Sequence, residues 1–174
     1  MVLLLHGSGR TGRDMIRPWQ GIAEDRDLVL LAPDALNSKG WSDTRDGTEF
    51  LEAVLAAAAL LYPIDPKQVL IFGHSAGASF ALQLAAAPPE GVTAVAVHAG
   101  TVTPVAQPET ALPLRIYIGD NDHLFPLAAV RASAEALAAA GHPTDLLVIA
   151  GHDHWFYDAG PGIAADAWDW FTLK

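Results

Sequence analysis

The residues best suited to chemistry in this 174-residue chain lie in segment 73–77, with the sequence GHSAG. An apolar run, residues 69–72, precedes it, and an apolar segment with helical spacing follows. A strand, a sharp turn and a helix, with serine at the apex and glycine two residues to either side, form the pattern that exposes a nucleophilic serine. The apex residue is strained, so its neighbours must lack bulk. The alternative is a turn in which Ser75 only caps the helix.

A serine nucleophile needs partners, because its hydroxyl is weakly reactive near neutral pH. A histidine supplies the base, and a carboxylate orients that histidine. Two turns downstream, each after an apolar run, offer Asp120 and Asp122, then His152 and His154. The residue types alone leave both choices open, and the unused member of each pair is expected to brace its turn. The chain order serine, aspartate, histidine is the one found in α/β-hydrolases.

A second glycine-rich turn, HGSG at residues 6–9, follows the apolar run 2–5. Such a turn lets the backbone approach a ligand and present N–H groups. It lacks the lysine of a P-loop and the G-x-G-x-x-G spacing, which disfavours a phosphate loop. We expect the backbone amides of Ser8 and Ala76 to form an oxyanion hole. His6 is expected to brace the loop.

The elements that must position these residues alternate along the chain. Apolar runs predict six strands, at residues 2–5, 28–32, 69–72, 92–97, 114–118 and 145–150. Helical patterns at residues 11–27, 48–61, 127–140 and 161–171, and directly after Ser75, separate them. This alternation predicts a single α/β domain over residues 1–174, with a doubly wound, mostly parallel six-stranded sheet and helices on both faces. Segment 99–113 is expected to be a long loop.

Composition narrows the function classes. A net charge of −10 argues against binding nucleic acid or anionic membranes. The absence of cysteine excludes disulfides, thiolate catalysis and cysteine metal sites. No apolar run approaches the roughly 20 residues of a membrane span, so we expect no membrane insertion and a cytoplasmic protein. We also expect a monomer or a homodimer. The spacing of His152 and His154 is weak evidence for a metal, and we expect neither metal nor cofactor.

Five motifs give the chain a family resemblance. The segment YPIDPKQVLIFGHSAGASFALQLA resembles the serine region of the polyhydroxyalkanoate-depolymerase-like and feruloyl, acetyl-xylan and carboxylesterase branch of the α/β-hydrolases. LLLHGSG is similar to that branch's oxyanion strand, and PDALNSKGW to its Pro-Asp…Trp loop. GDNDHLFP matches its G-x-x-D-x-x-x-P motif, which implies Asp122 rather than Asp120 as the acid. GHDHWFYD is similar to its histidine motif, which implies His154; a G-H-x-W form in other members would instead imply His152.

The resemblance covers nearly the whole chain and implies a serine hydrolase of small-molecule carboxylic esters with short to medium acyl groups, acting through an acyl-enzyme. The strand order expected is 2-1-3-4-5-6, without the two strands that usually precede the oxyanion strand and without a cap domain. The site is expected to be open, and the aromatic residues that could line its substrate pocket are Trp41, Phe125, Trp155 and Phe156. A thioesterase, a lysophospholipase-type enzyme or a peptidase would use the same residues. The remaining alternative is a non-catalytic ligand-binding module on a hydrolase scaffold.

Overall fold

One parallel sheet organises the computed structural model, which describes residues 1–65 and 67–173. Its strands are β1 (Val2–Leu5), β2 (Leu30–Leu31), β3 (Val69–His74), β4 (Val92–His98), β5 (Leu114–Gly119) and β6 (Thr144–Ile149). Their spatial order is β2-β1-β3-β4-β5-β6, and every neighbouring pair is parallel. The predicted fold class and strand order are therefore confirmed.

Helices cover both faces of this sheet. They are α1 (Gly12–Asp25), α2 (Asp43–Asp46), α3 (Thr48–Leu61), α4 (Ala76–Leu84), α5 (Leu127–Ala139) and α6 (Phe156–Thr172). Leu3 and Leu5 of β1 pack into the core under α3, α4 and α5, whereas Val2 and Leu4 pack into the core under α1 and α6. Burial on both faces explains why these strands read as unbroken apolar runs rather than as alternating patterns.

Strand β2 is shorter than the predicted 28–32. The amide of Leu28 still donates to the carbonyl of Ala23 in α1 (2.9 Å), so the chain leaves the helix late. Only Leu30 and Leu31 then reach register with β1.

Helix α6 begins at Phe156, five residues before the predicted start at Pro161. Proline favours the first turn of a helix, which is why the sequence points to Pro161. In the structure the fully buried ring of Phe156 packs 5.4 Å from Phe72 of β3, and this contact fixes the first turn. Pro161 lies inside the helix.

The connections at the carboxyl ends of the strands carry the residues of interest. The turns after β1, β3, β5 and β6 meet at one edge of the sheet, because parallel strands all end on the same side. Segment 99–113 contains no helix or strand, as predicted. Among the described residues, no helix has both the length and the apolar character needed to cross a membrane.

Candidate active site

Ser75 occupies the turn between β3 and α4 with a φ of 55° and a ψ of −116°. A Cβ on Gly73 would lie 2.3 Å from the carbonyl oxygen of Gly77, and a Cβ on Gly77 would lie 2.2 Å from that of Leu5. Both positions therefore require glycine for the helix to pack so closely on the strands. The amide of Ser75 donates to His98 at the end of β4 (3.0 Å), which holds the strained turn in place.

Three predicted residues meet at this turn, although they lie far apart in the chain. Nε2 of His154 is 3.0 Å from Oγ of Ser75, and Nδ1 of His154 is 2.8 Å from Oδ2 of Asp122. The other carboxylate oxygen of Asp122 accepts the amides of Leu124 and Phe125, each at 2.8 Å. With Nδ1–H donated to the carboxylate, Nε2 of His154 is free to accept the serine proton.

Asp122 and His154 differ in how far their side chains are exposed to solvent. The Asp122 side chain is fully buried, whereas the His154 side chain is 21% exposed. The carboxylate is thus shielded from water, and the imidazole edge that faces Ser75 remains within reach of a small molecule.

The alternative residues are used elsewhere. Oδ1 of Asp120 accepts the amide of Gly151 (2.7 Å) and so ties the turn after β5 to the turn after β6. Nε2 of His152 lies 3.0 Å from Nε2 of His98. In the described part of the chain, neither Asp120 nor His152 hydrogen-bonds to Ser75.

The amides of Ser8 and Ala76 have no hydrogen-bond acceptor among residues 1–65 and 67–173. The turn that carries Ser8 is fixed on both sides, because Gly9 donates to Ser38 (2.7 Å) and Arg10 donates to Gly7 (3.1 Å). Ala76 is the first residue of α4, where helix amides carry partial positive charge.

His6 braces the glycine-rich turn at residues 6–9, as expected. Its Nδ1 donates to the carbonyl of Gly7 (2.8 Å), and its Nε2 accepts the amide of Ala35 (3.0 Å). Trp41 donates its indole N–H to the carbonyl of His6 (2.8 Å) and stacks on Phe80 with centroids 5.6 Å apart. Half-buried Trp41 therefore anchors the connection between β2 and α2 to the core beside the site.

The other three predicted walls have different positions. The Phe125 ring stacks on the His154 ring with centroids 5.6 Å apart, and Trp155 is 44% exposed. Phe156, in contrast, is fully buried and packs against His74 and Phe72. The first turn of α6 directs its ring into the core, so the expectation that Phe156 lines the pocket does not fit its burial.

A buried chain of histidines, which the sequence analysis missed, lies behind Ser75. Nδ1 of His74 is 3.1 Å from Nδ1 of His98, and the other ring nitrogen of His98 contacts His152. Burial, helped by the neighbouring histidines, lowers the pKa of His98 to about 2. Burial together with the nearby His154 lowers the pKa of His74 to about 3. Both rings are therefore neutral near pH 7. The 24-residue separation of His74 and His98 gave no signal, because only strand pairing brings them together.

The neutral state of His74 affects how well a positive charge on His154 would be stabilised. The His74 ring lies 5.0 Å from the His154 ring. A charged His74 would oppose an imidazolium at His154, whereas a neutral one leaves Asp122 to stabilise it. No group of three or more His, Cys, Asp or Glu side chains able to hold a metal ion occurs in the part of the chain described.

The fold and the serine turn define an α/β-hydrolase. Residues 29–170 match the model of the dienelactone hydrolase family, and the chain belongs to that family. It is accordingly a hydrolase of the esterase-like kind, which agrees with the class that the motifs predicted.

Solved structures show the same fold. The esterase PE8 has a TM-score of 0.78 at 23% identity and covers 99% of this chain and 92% of its own. Arabidopsis thaliana SOBER1 has a TM-score of 0.78 at 18% identity, with coverages of 99% and 98%. An S-formylglutathione hydrolase from Agrobacterium tumefaciens has a TM-score of 0.78 at 17% identity, with coverages of 99% and 83%. At these identities the likeness concerns the fold. A search of curated protein sequences found no match.

Proposed function

We propose that the protein is a serine hydrolase of carboxylic esters with short to medium acyl groups. The observation that carries this proposal is the continuous hydrogen-bonded arrangement of Ser75, His154 and Asp122 at the strained turn. A serine that only capped α4 would have no need of a histidine 3.0 Å from its hydroxyl. Ser75 also makes no side-chain cap hydrogen bond to that helix.

The proposed reaction has two halves. Oγ of Ser75 bonds to the ester carbonyl carbon while Nε2 of His154 takes the hydroxyl proton, and Asp122 stabilises the imidazolium. The carbonyl–alkoxide bond then breaks, and His154 returns the proton to the leaving alcohol. Water, deprotonated by His154, then attacks the acyl carbonyl carbon. The bond from that carbon to Oγ of Ser75 breaks, and His154 returns the proton to Oγ, which releases the acid and free Ser75.

The amides of Ser8 and Ala76 are proposed to hold the developing oxyanion. Each donor of this kind contributes about 3–4 kcal/mol to lowering the barrier in related sites. Neither amide has an acceptor among the described residues, which supports this role, because a preorganised donor needs no rearrangement when charge appears.

The test is hydrolysis of p-nitrophenyl esters from acetate to octanoate by the wild type and by Ser75→Ala. We expect activity that peaks at one acyl length and falls by at least about a thousandfold in the variant. Circular dichroism of both proteins controls for folding. Absence of hydrolysis for every ester by folded wild type would overturn the proposal and favour the ligand-binding scaffold.

A further inference from the structure

A groove of about 880 Å³ lies between α1 and the start of α6, outside the proposed triad. Its lining residues include Arg10, Arg13, Arg17, Trp155 and Tyr157. We call it the arginine groove. Two of its lining residues are close in sequence to the proposed reaction centre, because Arg10 follows Ser8 by two positions and Trp155 follows His154 directly.

Three of the ten basic residues of an acidic chain line this groove. Arg13 and Arg17 are four residues apart on α1, so they share one helix face with a rise of about 6 Å between them. Within residues 1–65 and 67–173, none of the three arginines has a carboxylate within 4.0 Å. By contrast, Arg26 and Arg115 form ion pairs.

Two acidic residues also line the groove, and one of them is already engaged. The carboxylate of Asp14 accepts the amide (2.9 Å) and the hydroxyl (3.0 Å) of Thr11, and these bonds cap α1. The backbone hydrogen bond, which is the main cause, lowers the pKa of Asp14, so this carboxylate stays charged within the cap. Asp158 lies in the first turn of α6. Three arginines thus face two carboxylates, which leaves an excess of one positive charge in the groove.

Aromatic rings hold the inner end of the groove. The Arg10 guanidinium lies 4.9 Å from the centroid of Trp155 and 5.5 Å from that of Tyr157. Stacking of this kind fixes the plane of a guanidinium while leaving its N–H donors available. The hydroxyl of Tyr157 is buried and has no hydrogen-bond partner in the described part of the chain.

We propose that the arginine groove binds an anionic arm, bearing phosphate or carboxylate, on the leaving group of the substrate. This inference rests on the proposed function. Guanidinium forks match both anions, because each can bind two parallel N–H groups. The leaving-group side is assigned because Trp155, which lines the groove, directly follows His154, the residue proposed to deliver the proton to the leaving atom. Its volume accommodates an extended arm rather than a single small ion.

The test compares three butyryl thioesters that differ in their leaving thiol. Coenzyme A carries phosphates, mercaptosuccinate carries two carboxylates, and N-acetylcysteamine is neutral. Release of thiol gives kcat/KM for each. In the wild type we expect at least one charged thioester to exceed the neutral one by about tenfold or more. A gain for coenzyme A alone identifies phosphate, and a gain for mercaptosuccinate alone identifies carboxylate.

The decisive variant is Arg13→Gln combined with Arg17→Gln, which leaves the triad untouched. We expect it to remove the preference for the charged thioester while hydrolysis of p-nitrophenyl butyrate stays unchanged. The matched control removes the same charge from exposed positions elsewhere, with Lys67→Gln and Arg131→Gln, and should keep the preference. Equal kcat/KM for all three thioesters, or a preference that survives in the groove variant, would overturn the proposal.

A binding measurement separates this proposal from the proposed function. Inorganic pyrophosphate should bind the wild type more tightly than the groove variant by about tenfold, measured by calorimetry at low salt. Mercaptosuccinate is titrated in the same way as the carboxylate probe. Hydrolysis of p-nitrophenyl butyrate without binding of either probe would refute the groove alone. Binding without any hydrolysis would refute the proposed function and retain the anion site.

Discussion

The substitution Asp122→Asn tests how the proposed acid orients the histidine. One carboxylate oxygen of Asp122 accepts two backbone amides, from Leu124 and Phe125, and the other accepts His154. An asparagine has only one side-chain oxygen, and the two amides require it. Its NH₂ group then faces Nδ1 of His154, which must become an acceptor. The ring proton moves to Nε2, where it blocks acceptance of the Ser75 proton.

The expected loss follows from the cost of the other orientation. Turning the asparagine so that its oxygen faces His154 would leave the two part-buried amides of Leu124 and Phe125 against an NH₂ group. Each unsatisfied group costs about 1–3 kcal/mol, or about 2–6 kcal/mol together. With about 1.4 kcal/mol for each factor of ten, the competent tautomer falls by about 30-fold to 10⁴-fold. The upper end equals the loss of about 10⁴ for the same change in serine proteases.

The assay is kcat/KM for p-nitrophenyl butyrate at pH 7, with Ser75→Ala as the baseline. Asp120→Asn is the matched control, because Asp120 accepts an amide from Gly151 and does not contact His154. We expect the control to stay within about threefold of wild type, since it touches no reacting group. Activity of Asp122→Asn within about tenfold of wild type would refute the reasoning that Asp122 fixes the His154 tautomer.

Two further predictions concern stability. His74 and His98 are buried and neutral with lowered pKa values, whereas in the unfolded chain they bind protons below pH 6.5. The free energy of unfolding should therefore be fully retained above pH 6.5 and fall at lower pH, by up to about 1.4 kcal/mol per pH unit for each residue. The free energy of unfolding, measured by urea titration from pH 7 to 5, should change less with pH for His98→Asn than for exposed His123→Asn. An equal pH dependence in the two variants would contradict the assignment. Phe156→Ala should cost about 3–5 kcal/mol in the same titrations, against a small effect for exposed Leu124→Ala. Hydrolysis by the folded fraction with an unchanged KM is expected for Phe156→Ala, and a raised KM would instead place Phe156 at the substrate.

Much of the architecture was predictable, because burial on both faces of a parallel sheet imposes apolar runs that the sequence displays directly. Strand β1 matched its predicted limits, and so did α3, because their ends coincide with glycine, proline and polar residues. The errors occurred where contacts distant in the sequence decide the limits. β2 ends where pairing with β1 ends, and α6 begins where the ring of Phe156 packs against Phe72 in the core.

The sequence by itself determined the two glycines around Ser75, Gly73 and Gly77. No other residue fits there, because the strand and helix backbones approach within van der Waals distance. It also limited the partners to two aspartates and two histidines, each pair within one turn. The tertiary structure decided which histidine contacts Ser75 and which aspartate contacts that histidine. Neighbours two residues apart have the same local chemistry, and only the sheet order and the turn geometry separate the member that takes part from the one that does not. The buried histidine chain and the arginine groove exist for the same reason, since each joins elements that meet only after folding.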